Sequence, residues 1–224
     1  MKVGWPKRRM LLLAALVVAG TVGGAFSLLR GHNSSPIAAR GGEAFHNFAT
    51  LRTPFYLQHD PRWKDEPIGG SGETLGKVGC AVCSLAMALD RFGVSVTPAE
   101  LNGALKANQG YTWRGWLKWD TISKISDHKV LVQIVSKPTH AHLDTALKRG
   151  HPVLAKVFLH HVVPHWVLVV GKEGAEYLIR DPLGDGYTVE RLSKYHSDIF
   201  GIRIVQPAVL SNLRSSPVLS SLSP

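Results

Sequence analysis

The stretch His165-Trp-Val-Leu-Val-Val-Gly171, Lys172-Glu-Gly174, Ala175-Glu-Tyr-Leu-Ile-Arg-Asp181 decides how the chain folds. Two apolar, β-prone runs flank three residues that end in glycine, the pattern of a hairpin whose loop is closed by a left-handed residue. With a three-residue loop, Gly171 pairs with Ala175 and His165 lies opposite Asp181. Their side chains then share one face, about 5 Å apart at Cβ. A loop one residue longer or shorter would send them to opposite faces. Asp181-Pro182 also reads as the start of a turn, a role aspartate often takes before proline.

Outward from this hairpin, the runs 130–135, 152–159 and 199–205 are β-rich, and a shorter strand candidate lies at 53–57. Helices precede most of them. The first starts at Cys80, repeats Val82, Leu85, Ala86, Leu89 and Phe92 on a helical period, and stops at Gly93. The second opens on Thr97-Pro-Ala-Glu100, a capping box with proline in the first turn, and runs to Ala107. A third covers 139–149 and ends at Gly150. Trp113, Trp116, Trp119 and Ile122 recur every three residues, which predicts one face of a helical segment packed on the core or lining a cleft. Helices followed by antiparallel strands make an α+β domain over 51–205.

The 224 residues and 45% hydrophobic content suffice for one core but not for two full domains. The net charge of +10 is concentrated at the start, where Lys2, Lys7, Arg8, Arg9, Arg30 and Arg40 occur without a single acid. The rest has an ordinary solvated surface, which excludes nucleic acid as a partner. The basic segment 1–9 precedes an apolar run at 10–29, long enough to span a bilayer as a helix. This reads as a transmembrane signal anchor that leaves the remainder outside the cytoplasm, the alternative being a cleaved signal and secretion. The Gly-, Ser- and Ala-rich segment 30–50 reads as a spacer, and Asn33-Ser-Ser35 matches a glycosylation acceptor. The Ser- and Pro-rich segment 206–224 reads as a disordered tail.

Cys80 and Cys83 are the only cysteines, so disulfides do not staple the domain. Cys80 follows a glycine-rich loop at the first turn of an apolar helix, where the backbone amides and helix dipole favour an anion. A thiolate nucleophile needs a base and a group to orient it, here His165 and Asp181. His128, His140, His142, His160 and His161 lie in polar surroundings and read as surface residues, and strand spacing splits His160, His161 and His165 between faces, against a metal site. Cys80-Ala-Val-Cys83 leaves a thiol-disulfide exchanger as an alternative, but no strand leads into this motif as in redox domains. A silent peptide-binding module and an acyltransferase that resolves a thioester with an amine are further alternatives.

Five blocks in order are similar to a known family: Gln58-His-Asp60-Pro-Arg-Trp63, Gly79-Cys80-Ala-Val-Cys-Ser84-Leu-Ala-Met87, Thr97-Pro-Ala-Glu-Leu101, Pro164-His165-Trp-Val-Leu-Val-Val-Gly171 and Tyr177-Leu-Ile-Arg-Asp181-Pro182. Together they resemble the stand-alone papain-like cysteine peptidases related to the bacteriocin-processing, double-glycine leader peptidases. The resemblance implies a papain-like fold and a peptide substrate without cofactor or metal. It also implies Cys80 as nucleophile, His165 as acid/base, Asp181 as its orienting group and Gln58 as an oxyanion donor. In the transporter-linked members the glutamine sits only a few residues before the cysteine, which glycine often follows. Here 21 residues intervene and Ala81 follows, so leader-peptide specificity is not carried over.

Overall fold

In the computed structural model the residues described are 35–46, 50–135 and 137–208. The segments 1–9 and 10–29, the glycosylation motif at Asn33 and Ser34, and the tail beyond Ala208 lie outside them. Among the described residues no helix is long and apolar enough to cross a membrane.

The chain forms an α+β domain. Its strands are β1 (Arg40–Phe45), β2 (Val130–Val135), β3 (Val153–Leu159), β4 (Val163–Arg180), β5 (Glu190–Arg191) and β6 (Gly201–Pro207). Its helices are α1 (Leu75–Val78), α2 (Cys80–Asp90), α3 (Pro98–Ala107), α4 (Thr121–Ile125) and α5 (His140–Lys148), with a 3-10 turn at Leu192–Tyr195. The sheet order is β1-β4-β3-β6-β2, antiparallel throughout, with β5 also on β4. Helix α2 packs on β4 and β3, and the side chains from Val82 to Leu89 are buried on every side of it. A helix apolar all round belongs in a core rather than on a surface. The Ser84 hydroxyl, buried with it, donates to the Trp166 carbonyl at 3.2 Å and ties helix to sheet.

Local signals hold at several helix ends. Thr97 and Glu100 form the reciprocal capping box at α3, Thr139 caps α5, and Gly93 takes φ +74° just beyond α2. Other expectations need correction. Residues 53–57 form no strand; this segment is held by Leu51 N–H on the Val170 carbonyl (2.7 Å) and Gln58 N–H on the Pro182 carbonyl (2.8 Å). The stretch 111–125 is not one helix. Gly115, at φ +77°, closes a tight loop in which Tyr111 bridges Leu117, and only Thr121–Ile125 is helical. Trp113 and Trp116 are consequently 78% and 63% exposed rather than part of the core. The spacer read at 30–50 contains β1, so the sheet begins before residue 51.

β1 owes its place to a buried charge. The Lys172 side chain is completely buried, and its ammonium donates to Asp144 Oδ1 at 2.6 Å and to the Gly41 carbonyl at 2.7 Å. Asp144 Oδ1 also accepts from the Tyr177 hydroxyl at 2.9 Å, and Oδ2 accepts from Glu43 N–H at 2.8 Å. Gly42, at φ +72°, passes so close that a Cβ would meet Asp144 Oδ2 at 2.3 Å. Removing one member of a desolvated pair strands the other charge, at about 3–5 kcal/mol. Asp144→Ala is therefore expected to lower unfolding free energy by roughly that amount in urea titrations, with the Asp144→Leu/Lys172→Met double variant recovering much of the loss.

Candidate active site

The site assembles where α2 meets β4. Gly79 ends α1 and precedes α2, and its position leaves no room for a side chain, since a Cβ would lie 2.4 Å from the Leu75 carbonyl oxygen. The chain therefore turns from one short helix straight into the next, and Cys80 is delivered at the first turn of α2, largely buried.

The run Val163–Arg180 is β structure throughout, yet it does not continue in one direction. Sixteen extended residues would separate His165 from Asp181 by about 50 Å, whereas His165 Nε2 donates to Asp181 Oδ1 at 2.8 Å. The strand folds back, with Gly174 in the left-handed region at φ +56°. Both side chains are buried, at 2% and 1% exposure. The turn reading of Asp181 holds as well: its carbonyl accepts from Gly184 N–H at 3.0 Å, and its Oδ1 from Leu183 N–H at 2.9 Å. On its other oxygen Asp181 accepts from the Lys194 ammonium at 2.6 Å and from the Tyr195 hydroxyl. The carboxylate is thus met by four donors.

Electrostatics follow from this packing. Burial opposes charge on both partners and is the largest single influence on each. It is outweighed at His165 by the hydrogen bonds and charges of Asp181 and Cys80, which bring the imidazole to about 9. At Asp181 the donors from His165, Lys194 and Tyr195 hold the carboxyl well below the usual carboxylate range. His165 Nε2 is taken by Asp181, which leaves Nδ1 for the thiol of Cys80. Gln58 is buried, donates from Nε2 to the Gly76 carbonyl at 2.8 Å, and is thereby fastened to the helical turn that leads into Cys80. An amide NH₂ has two hydrogens, so this bond uses one of them.

Cys83 is fully buried one turn along α2, and desolvation, followed by the charge of Cys80, pushes its thiol far up. Both cysteines are free thiols. A sulfur so placed packs as a small apolar group and is a poor exchange partner. His160 and His161 occupy the turn between β3 and β4, both at positive φ and exposed, away from the inward-facing His165. Sequence reasoning missed Lys194 and Tyr195. Their one local signal is the four-residue spacing from Glu190 to Lys194, which forms an ion pair at 2.7 Å but does not reveal that the turn folds over Asp181.

A histidine with a folded-state pKa of about 9 against an ordinary 6.5 contributes stability that is complete below about pH 6.5 and is lost as the pH rises through 9. Urea midpoints are expected to fall across that window, and His165→Gln should flatten the profile there.

A model of the Peptidase C39 family matches residues 76–198. Among solved structures, a C39-like peptidase from Bacillus anthracis aligns with a TM-score of 0.44 and 16% identity, covering 75% of this chain and all of that one. No curated protein matches the chain. The family match spans more than half of the sequence and includes Cys80, His165 and Asp181: the chain belongs to the Peptidase C39 family and is a cysteine peptidase of papain-like α+β fold.

Proposed function

We propose that this chain is an exported, membrane-tethered peptidase that cleaves peptide bonds with a Cys80–His165–Asp181 triad and Gln58 as oxyanion donor. The observation that carries the reading is His165, whose ring is shared between a buried carboxylate on one side and the Cys80 thiol on the other. The tether rests on the basic segment 1–9 followed by the apolar run 10–29, and the extracytoplasmic location on the charge asymmetry across that run.

The mechanism begins from the thiolate–imidazolium pair. Cys80 Sγ attacks the scissile carbonyl carbon, and the carbonyl π electrons move onto oxygen. The second amide hydrogen of Gln58 and the Cys80 backbone N–H stabilise that oxyanion. His165 gives its Nδ1 proton to the leaving amine as the C–N bond breaks, leaving a thioester and a neutral imidazole. His165 then takes a proton from water, hydroxide adds to the thioester, and the carboxylic acid leaves as the thiolate re-forms. Throughout, Asp181 holds the ring through Nε2 and stabilises its charged form.

Expected effects separate the roles. Cys80→Ala abolishes both turnover and labelling by a thiol-directed peptidyl probe, whereas Cys83→Ser retains both; labelling that survives Cys80→Ala would refute the assignment. Gln58→Ala lowers kcat by roughly 10²–10³-fold with little change in KM, and Asp181→Asn lowers it by about 10²–10⁴-fold. The alkaline limb of kcat/KM falls near pH 9, where the imidazolium is lost.

A further inference from the structure

The side of Asp181 turned away from His165 is built as carefully as the side facing it. Lys194 Nζ lies 2.6 Å from Asp181 Oδ2 and 2.7 Å from Glu190 Oε2, the latter pair joining the 3-10 turn to β5. The cation is thus shared between a buried carboxylate and a second, partly exposed one. The chain of charges His165–Asp181–Lys194–Glu190 runs from the buried site out to solvent. Tyr195, the next residue, donates to the same Asp181 oxygen and sets its ring edge-on against His165, with centroids 5.6 Å apart. A phenol that bonds the carboxylate and also packs on the imidazole fixes both ends of the Asp181–His165 bond. Gly184 keeps this corner closed, since a Cβ there would meet Glu190 Oε2 at 2.9 Å and the Asp181 carbonyl oxygen at 3.2 Å.

We propose that Tyr195 is a positioning residue for the Asp181–His165 pair, and that Lys194, shared with Glu190, sets how much of the Asp181 charge reaches the imidazole. This inference rests on the triad reading above. The charged and titratable groups facing the pair are Cys80 from α2, Lys194 and Tyr195 from the 3-10 turn, and Glu190 from β5. An uncompensated Asp181 holds the imidazolium more tightly, and a Lys194 released from Glu190 compensates Asp181 more fully. Removing the lysine and removing its outer partner must therefore shift His165 in opposite directions.

The test follows the alkaline limb of kcat/KM on a peptide substrate, together with an NMR titration of the His165 ring in the same full-length proteins. Lys194→Met should raise both by roughly half a unit to one unit, and Glu190→Gln should lower both by a smaller amount. Lys194→Arg should leave both close to the native position. Tyr195→Phe should reduce kcat several-fold at unchanged KM. Coincident positions for the native, Lys194→Met and Glu190→Gln proteins would overturn the proposal, as would shifts of the same sign. The ring titration reads the charge coupling without turnover. Opposite NMR shifts in an enzyme whose activity does not follow His165 would therefore fault the triad reading and leave the coupling standing.

Discussion

The hydrogen bond between His165 and Asp181 is the interaction on which the rest of the site depends, because both groups are taken out of water to make it. A lone buried carboxylate would rather be protonated, and a lone buried imidazole would rather be neutral. Neither outcome holds at this pair, where the effect of burial is outweighed on both groups. The protein resolves this by surrounding Asp181 with four donors from three places: the opposite arm of β4, the turn that follows it, and two side chains of the 3-10 turn. The carboxylate stays charged because its lone pairs are occupied, and the ring stays charged because the carboxylate does.

The sheet and helix α2 hold different members of the site. Helix α2 brings Cys80 to the site and otherwise serves as core, which is why it is apolar around its whole circumference and buries a second thiol at Cys83. β4 and the turn that follows it bring His165 and Asp181. The loop segment around Gln58 attaches to both halves, through its own N–H to the Pro182 carbonyl and through its amide to the Gly76 carbonyl, so it bridges the Asp181 turn and the approach to Cys80.

The pairing of His165 with Asp181 is legible in the sequence because hairpin loops have few lengths and side chains alternate strictly, so counting residues around Gly174 fixes the face. The capping box at Thr97 and the stop at Gly93 are legible for a similar reason: each satisfies a local backbone requirement. Residues 53–57 mislead because β-prone composition does not create a neighbouring strand, and the segment is held instead at its two ends, by the backbone bonds of Leu51 to Val170 and of Gln58 to Pro182. The Trp113–Trp116 spacing misleads because three-residue periodicity cannot tell a helix from a loop that Gly115 closes tightly. Arg40–Phe45 looks like a spacer because its glycines suit a linker equally well; what makes it a strand is a distant lysine–aspartate pair that no local window contains. Lys194 and Tyr195 are hidden for the same reason, since their meaning lies in where the chain returns.

That distant pair also bears on how the two arms of the hairpin are held. Lys172 sits at the closed end of the β4 hairpin, bolted to Asp144 and the Gly41 carbonyl, while His165 and Asp181 sit at the open end. A hairpin clamped at its base and cross-linked at its tips has little freedom to splay, and β3 on one side of it and β1 on the other leave little room for shear. With the backbone so held, small rotations about side-chain bonds, which belong to the fast timescale of rotamer wells, suffice to change the distance between His165 and Asp181.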